Sequence, residues 1–118
     1  MNLQLLLLSM IFFNPALRAV RTVEMEVTAY CGCERCCGNH SPGITASGYI
    51  IRQGDKLIAA PTTFRFGTRI HIPGYGQASV KDSGGAIKGD RLDVYFDTHK
   101  EALKWGQQKL LVTVFSGE

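Results

Sequence analysis

Two aspartates, Asp82 and Asp93, enclose a glycine-rich stretch, and their type and spacing could support acid–base chemistry. The segment between them contains Gly84, Gly85 and Gly89. Glycine lets a backbone come close to a ligand, and carboxylates held at strand ends beside such an opening suit proton transfer on a sugar bond. Turns also favour Asp and Gly for local reasons, so spacing alone leaves a purely structural turn open.

The elements that must position these aspartates are short strands. From Val23 to Tyr30 the apolar and polar residues alternate, which is typical of a strand with one buried face. The same alternation places Asp93 and Tyr95 on one face of their strand and Leu92 on the other. Further strands are predicted at residues 48–51, 56–60, 68–72, 77–82, 91–96 and 109–115.

One helix interrupts this pattern of strands. Thr98 and Glu101 form a capping-box signature, and Gly106 is typical of a helix end. Six or seven short strands and one short helix in a single domain of 118 residues predict a small closed or nearly closed β-barrel.

The N-terminus has a different composition. Residues 3–13 are almost wholly apolar, and Ala16-Leu-Arg-Ala19 follows, which resembles the small-residue cleavage site of a secretory signal peptide. The apolar run is too short for a comfortable membrane span. We therefore expect residues 1–19 to be removed and residues 20–118 to form a secreted or cell-envelope domain without a stable membrane span. A buried N-terminal element and an uncleaved anchor are the alternatives.

The charge of the chain gives no reason to expect nucleic acid as a partner. Without Arg18, 12 basic and 10 acidic side chains remain. That small excess is compatible with an anionic cell wall, and the chain has no basic run or aromatic-interleaved basic patch. Nucleic acid is therefore not an expected partner.

Four cysteines, Cys31, Cys33, Cys36 and Cys37, lie within seven residues. In an oxidising compartment they predict disulfides, and because the adjacent pair cannot easily bond to each other, Cys31 would pair with one of them and Cys33 with the other. The alternatives are free thiols or a structural zinc ion on the four thiolates, with His40 close by. The three histidines, His40, His71 and His99, are interpreted as surface residues rather than ligands or bases.

Seven short motifs run in order across residues 25–115. They are Thr28-Ala-Tyr-Cys31, Thr45-Ala-Ser-Gly48, Ile58-Ala-Ala-Pro61, Phe66-Gly-Thr68, Gly74-Tyr-Gly76, Asp82-Ser-Gly-Gly-Ala-Ile-Lys-Gly89 and Arg91-Leu-Asp93. On these motifs the chain resembles the 3D domain family, named for three aspartates, and the related catalytic domain of membrane-bound lytic transglycosylase A.

The resemblance implies a mainly β fold, a small double-psi β-barrel of about six strands with one short helix. It also implies lytic cleavage of the β-1,4 bond between N-acetylmuramic acid and N-acetylglucosamine in peptidoglycan, with formation of a 1,6-anhydro sugar and no consumption of water. Peptidoglycan glycan strands would be the partner of a monomeric enzyme that needs no cofactor. Such domains occur in secreted bacterial and phage-related proteins, so a phage-encoded origin stays open.

The same resemblance implies roles for individual residues. Asp93 matches the catalytic acid/base and Asp82 the supporting aspartate, whereas Ala60 stands where the family has its third aspartate. Lys88 is expected to face the substrate and Arg91 to point away. The implied substrate contacts are Thr28, Tyr30, Thr45, Ser47, Gly84, Gly85 and Lys88. Thr45 and Ser47 could instead only cap a turn.

A general acid must be protonated when it acts, so the pKa of Asp93 should be raised by burial and by the like charge of Asp82. A non-catalytic glycan-binding barrel is the alternative function, and the alanine at position 60 favours it. A small secreted disulfide or metal protein with no role on sugars is a third interpretation, but it leaves the segment from Asp82 to Asp93 without a use.

Overall fold

The computed structural model describes residues 19–33, 43–84 and 87–115. Six strands and one helix occupy these ranges. Their bounds are β1 Ala19–Tyr30, β2 Leu57–Ala59, β3 Arg69–Ile72, β4 Gly76–Asp82, β5 Arg91–Tyr95, α1 His99–Trp105 and β6 Gln108–Phe115. The predicted strands and the helix are confirmed with shifts of a few residues at their ends, with one exception.

The exception is the strand predicted at residues 48–51, which was wrong. This segment makes only an isolated bridge between Ile44 and Ile50. Gly48 has a φ of 89°, outside the extended region of a strand. The Tyr49 amide donates to Thr45 Oγ1 at 3.1 Å, so a local turn takes the hydrogen bonds that a strand would have offered to a neighbour.

The six strands close into a barrel in the order β1-β5-β2-β4-β3-β6. The pairs β1/β5 and β2/β4 are parallel, and the other four neighbouring pairs are antiparallel. This closed six-stranded barrel with one short helix confirms the small double-psi β-barrel implied by the sequence motifs.

The barrel interior is filled by the apolar residues of alternating strand positions. On β1, Met25 and Val27 are buried while Glu24 is exposed, as the alternation predicted. Each fully buried aliphatic side chain contributes roughly 1.5–3 kcal/mol relative to an exposed one. The fully buried strand residues of this core are Val27, Ile58, Ile70, Ile72, Val80, Leu92, Val94 and Val112.

Helix α1 is capped at its start and attached to the barrel at its end. At its start, Thr98 and Glu101 form the predicted capping box, with both side chain–backbone hydrogen bonds present. At its end, Trp105 Nε1 donates to the carbonyl of Val27 at 3.1 Å. The Trp105 ring also packs edge-on against Tyr75, whose hydroxyl donates to the Tyr95 carbonyl at 2.7 Å inside the barrel.

Residues 1–18 lie outside the described ranges, so the signal segment stays a prediction. Strand β1 begins at Ala19, which is paired with Phe115 of β6. Across the described parts of the chain, no helix has the length and apolar character needed to cross a membrane.

Candidate active-site groove

The strand register brings the two sequence-predicted aspartates to either side of one residue. Ala59 of β2 is paired with Asp93 of β5 on one side and with Asp82 of β4 on the other. Asp93 is in turn paired with Thr28 of β1. Because neighbouring strands lie about 4.8 Å apart, the Cα atoms of the two aspartates are roughly 10 Å apart. Four neighbouring strands therefore carry one continuous row, Thr28–Asp93–Ala59–Asp82.

Ala59 provides the floor between the carboxylates. Its neighbours Ile58 and Ala60 belong to the apolar core, whereas Ala59 lines the groove and is 3% exposed. Ala60, at the position of the third aspartate of the resembled family, is fully buried and is not among the residues that line the groove. The alanine at position 60 therefore leaves both groove carboxylates in place.

The groove above this row has a volume of about 430 Å³. Asp82, Asp93 and Ser83 form its polar part, and Tyr30 stands beside them. Its apolar part is formed by three isoleucines from two loops, Ile44 and Ile51 before β2 and Ile87 between β4 and β5. A surface that combines carboxylates with apolar side chains suits a ligand with polar groups on its edges and apolar faces, as a sugar ring has.

Asp93 has the electrostatic character that a general acid requires. Burial raises the pKa of Asp93 above its ordinary value, and the charge of Asp82 adds to this effect. Two groups oppose it. Thr28 donates from Oγ1 to Asp93 Oδ1 at 3.0 Å, and the nearby Arg91 guanidinium stabilises the charged carboxylate. The net direction is upward, as the sequence analysis predicted.

Asp82 is held by backbone amides. Its Oδ1 accepts from the amide of Ala46 at 2.8 Å and from that of Ser83 at 2.9 Å. The turn that carries Ala46 is built by its neighbours, because Thr45 Oγ1 and Ser47 Oγ lie 3.0 Å apart and Ser47 Oγ donates to the Lys81 carbonyl. Thr45 and Ser47 do not line the groove, so the structure places them as residues that shape the turn holding Asp82.

The other predicted contacts divide between two regions. Tyr30 and Gly84 line the groove, and Thr28 contacts it through Asp93, whereas Gly85 lies outside the described residues. Lys88 is exposed and lines a separate depression of about 440 Å³ beside Glu24 and Glu26. The structure thus does not bring Lys88 to the carboxylates.

Arg91 requires a correction. It was expected to point away from the site, but its Nη2 donates to Thr28 Oγ1 at 3.4 Å. Because Thr28 on β1 stands opposite Asp93 on β5, a long side chain at the start of β5 reaches this hydroxyl across the parallel pair. Strand alternation predicts the face on which a residue starts, but not the reach of an arginine along the sheet.

The cysteine segment also differs from expectation at one residue. His99, interpreted from sequence as a surface residue, is half-buried, and its Nδ1 lies 3.7 Å from Cys31 Sγ and 3.6 Å from Cys33 Sγ. The two sulfurs are 2.9 Å apart, so they are not joined to each other by a disulfide. Cys36, Cys37 and His40 lie outside the described residues, and the predicted disulfide pairings stay a prediction.

Several groove residues could not be found from sequence. Ile44 and Ile51 reach the groove from the loop before β2, and Ala59 does so because of its register between β4 and β5. No spacing rule predicts such cross-strand neighbours. Ile87 does carry a signal, since it is an apolar residue within the glycine-rich stretch that the aspartates enclose.

The fold and the groove define a class of protein, a small closed β-barrel whose wall carries two carboxylates in one groove beside a glycine-rich segment. Residues 57–116 match the 3D domain family, and the chain belongs to that family. This match includes both aspartates of the groove and every strand except β1.

Relatives are found among longer bacterial proteins. The chain is 30% identical over 98 residues to YabE of Bacillus subtilis, to which a role in cell wall shaping is ascribed, covering 81% of this chain and 23% of YabE. It is 35% identical over 77 residues to the cell wall-binding protein YocH of the same organism, covering 63% of this chain and 27% of YocH. The chain thus spans about a quarter of the length of these two relatives.

A solved structure is similar as well. The crystal structure of MltA from E. coli superimposes with a TM-score of 0.49 at 22% identity, covering 66% of this chain and 28% of MltA.

Proposed function

We propose that this domain cleaves peptidoglycan glycan strands as a lytic transglycosylase, with Asp93 as the acid and then the base. The observation that carries the proposal is Asp93 itself, a partly buried carboxyl group in a groove, with a pKa raised by that burial. A group of this kind keeps its proton at a pH at which an ordinary aspartate has lost it.

In the first step, Asp93 donates its proton to the oxygen of the bond between N-acetylmuramic acid and N-acetylglucosamine as the bond from C1 to that oxygen breaks. Thr28 donates to Asp93 Oδ1, so the transferable proton is carried by Oδ2. The leaving sugar departs with a hydroxyl group.

In the second step, the O6 hydroxyl of the muramic acid attacks C1, and its proton returns to the Asp93 carboxylate. The product is a 1,6-anhydro ring and no water is consumed. Because the nucleophile belongs to the substrate, one protein carboxyl group serves both steps, unlike the schemes that need a second carboxylate as nucleophile or base.

The other groove residues have supporting roles. Thr28 and Arg91 stabilise the Asp93 carboxylate that exists between the two steps. The charge of Asp82 favours return of the proton to Asp93 and would stabilise positive charge developing at C1. Tyr30 offers a ring face for a pyranose, and the isoleucines exclude water that would otherwise intercept C1.

A role at the cell wall is supported by the relatives, whose names refer to cell wall shaping and cell wall binding. Such a role calls for a domain in the cell envelope or outside the cell, in agreement with the signal segment expected at residues 1–19. Because the relatives are much longer, their additional segments could determine where each protein acts.

The test is incubation of purified cell-wall sacculi with the protein, followed by mass analysis of the released fragments. The parent protein should release anhydro-terminated muropeptides, and Asp93→Asn should lower the rate by about 10²–10⁴-fold, the usual contribution of a general acid. Asp90→Asn is the matched control, because Asp90 is exposed and lines the separate depression. Reducing-end fragments would indicate a hydrolase. An Asp93→Asn variant as active as the parent would contradict the proposed role of Asp93.

A non-catalytic glycan-binding module is the second candidate. It is favoured by YocH, named as a cell wall-binding protein, and by the alanine at position 60. The same experiment separates the two functions, since sedimentation of the protein with sacculi, without release of fragments, would support the binding module.

A further inference from the structure

We propose that Cys31, Cys33 and His99 are ligands of one zinc ion at the junction of β1 and α1. Their donor atoms converge within the described part of the chain, and all three lie within 4.8 Å of one another. Two thiolates and an imidazole are a donor set that zinc commonly takes in proteins. Neither the groove chemistry nor the family motifs give these side chains a chemical role.

Two of the three distances between donor atoms fit a tetrahedral ion. With bonds of about 2.3 Å to sulfur and 2.0–2.1 Å to nitrogen, tetrahedral angles put sulfur and nitrogen about 3.6 Å apart. The two sulfurs lie 3.6 and 3.7 Å from His99 Nδ1. The same geometry puts two sulfurs about 3.8 Å apart, against 2.9 Å between Cys31 and Cys33. Cys33 is partly exposed, so rotation of its side chain can widen that separation when the ion enters.

The fold fixes two of these ligands before any ion is bound. Cys31 follows β1 directly and is fully buried, and the amide of Phe96 donates to the Tyr30 carbonyl at 2.8 Å, which holds the chain before α1 against the end of β1. His99 is the first residue of α1, immediately after the Thr98 cap. The cost of ordering Cys31 and His99 is therefore met by folding, which favours tight binding.

Binding can be written as a balanced step. The two thiols lose their protons to solvent as sulfur–zinc bonds form, and His99 binds through Nδ1 while Nε2 keeps its proton. Three protein ligands leave one tetrahedral position. A water molecule would complete the tetrahedron, as at other zinc sites with three protein ligands.

The site adjoins the groove. Gly32, between the two cysteine ligands, lines the groove together with Asp93. An ion that fixes Cys31 and Cys33 would therefore also fix this part of the groove wall. The metal site itself does not depend on the proposed cleavage of glycans, and its test needs no cell-wall substrate.

The test is a titration of the full chain, purified with reductant and stripped with a chelator, with Co²⁺ as a spectroscopic probe and Zn²⁺ as competitor. The expected result is the visible absorption of tetrahedral cobalt and a thiolate charge-transfer band, saturating at about one ion per chain and displaced by zinc. His99→Gln should weaken zinc binding by more than about 100-fold, beyond the loss typical of an outer-shell partner. His71→Gln, at an exposed position of β3, should bind like the parent.

Three outcomes would overturn the site: no tetrahedral cobalt spectrum in the reduced chain, equal zinc affinities for His99→Gln and the parent, or cysteines of the natively isolated protein found fully in disulfides without metal. Should His99→Gln fail to fold by circular dichroism, Cys33→Ser is the second variant. X-ray absorption at the zinc edge of the parent protein tests the ligands independently of any variant. The proposed site requires both sulfur and nitrogen neighbours of zinc, and a spectrum without either would contradict it.

Discussion

Opposing electrostatic effects act on the protonation of Asp93. Burial and the charge of Asp82 favour its neutral form, whereas the Thr28 hydroxyl and the Arg91 guanidinium favour the carboxylate. For an acid that must later act as a base, this opposition is useful, because neither protonation state is excluded. The raised pKa shows that burial has the larger effect.

The raised pKa of Asp93 predicts how stability changes with pH. Because the folded state holds this proton more tightly than the unfolded chain, the stabilisation is fully present below the unfolded pKa and is lost as pH rises through the folded pKa. Asp93→Asn cannot ionise and should not show this loss. Its free energy of unfolding relative to the parent should therefore increase as the pH rises above about 4, the pKa of an unfolded aspartate.

Urea unfolding at several pH values would measure this difference. Asp90→Asn is again the control, since it removes a carboxylate at an exposed position and reports the general effect of one charge. A free energy of unfolding for Asp93→Asn that fell relative to the parent with rising pH would contradict the upward shift.

Among the elements, the short strand β2 positions the two carboxylates of the groove relative to each other. It lies between β4 and β5, and Ala59 is the residue to which both carboxylates are registered. A methyl group leaves room for a ligand above it. A larger side chain at this position would fill the groove between Asp82 and Asp93.

Ala59→Leu is therefore expected to abolish binding or cleavage of glycan while the barrel still folds. Overpacking at a buried position typically costs about 1–3 kcal/mol of stability. Ala78→Leu is the matched control, because Ala78 is similarly buried but belongs to the core. If the two variants lost stability and glycan activity in parallel, Ala59 would have no particular role in the groove.

Sequence reasoning succeeded where the signal was local. The capping box at Thr98, the alternation on β1 and the glycine-flanked aspartates all depend on neighbours along the chain, and the structure contains them. It failed where a residue's environment is set by distant strands. The approach of Arg91 to Thr28 and of His99 to the cysteines results from pairing across more than 60 residues.

At the scale of the whole molecule, the closed barrel couples the stability of its six strands, because each strand is paired on both sides. Strand β6 pairs with β1 on one side and β3 on the other, so it completes the ring. Along β6 the side chains alternate, with Val112 fully buried and the adjacent Leu111 62% exposed. Neighbouring residues of one strand therefore differ in what they contribute.

Val112→Ala removes two buried methyl groups and should destabilise the protein by about 1.5–3 kcal/mol, through the lost burial and the cavity left behind, in a single cooperative transition. Leu111→Ala should change stability by no more than about 0.5 kcal/mol, as is usual for a surface position. Urea unfolding followed both by Trp105 fluorescence and by circular dichroism would test this. Equal losses for the two variants, or transitions that do not coincide, would contradict the closed ring.

The pairing of β1 has a consequence for synthesis. Its partners are residues 91–95 and 108–115, so β1, the first strand of the barrel, has no neighbour until most of the domain has been made. The ring therefore closes through contacts between strands at opposite ends of the domain, and such long-range pairings form slowly during folding.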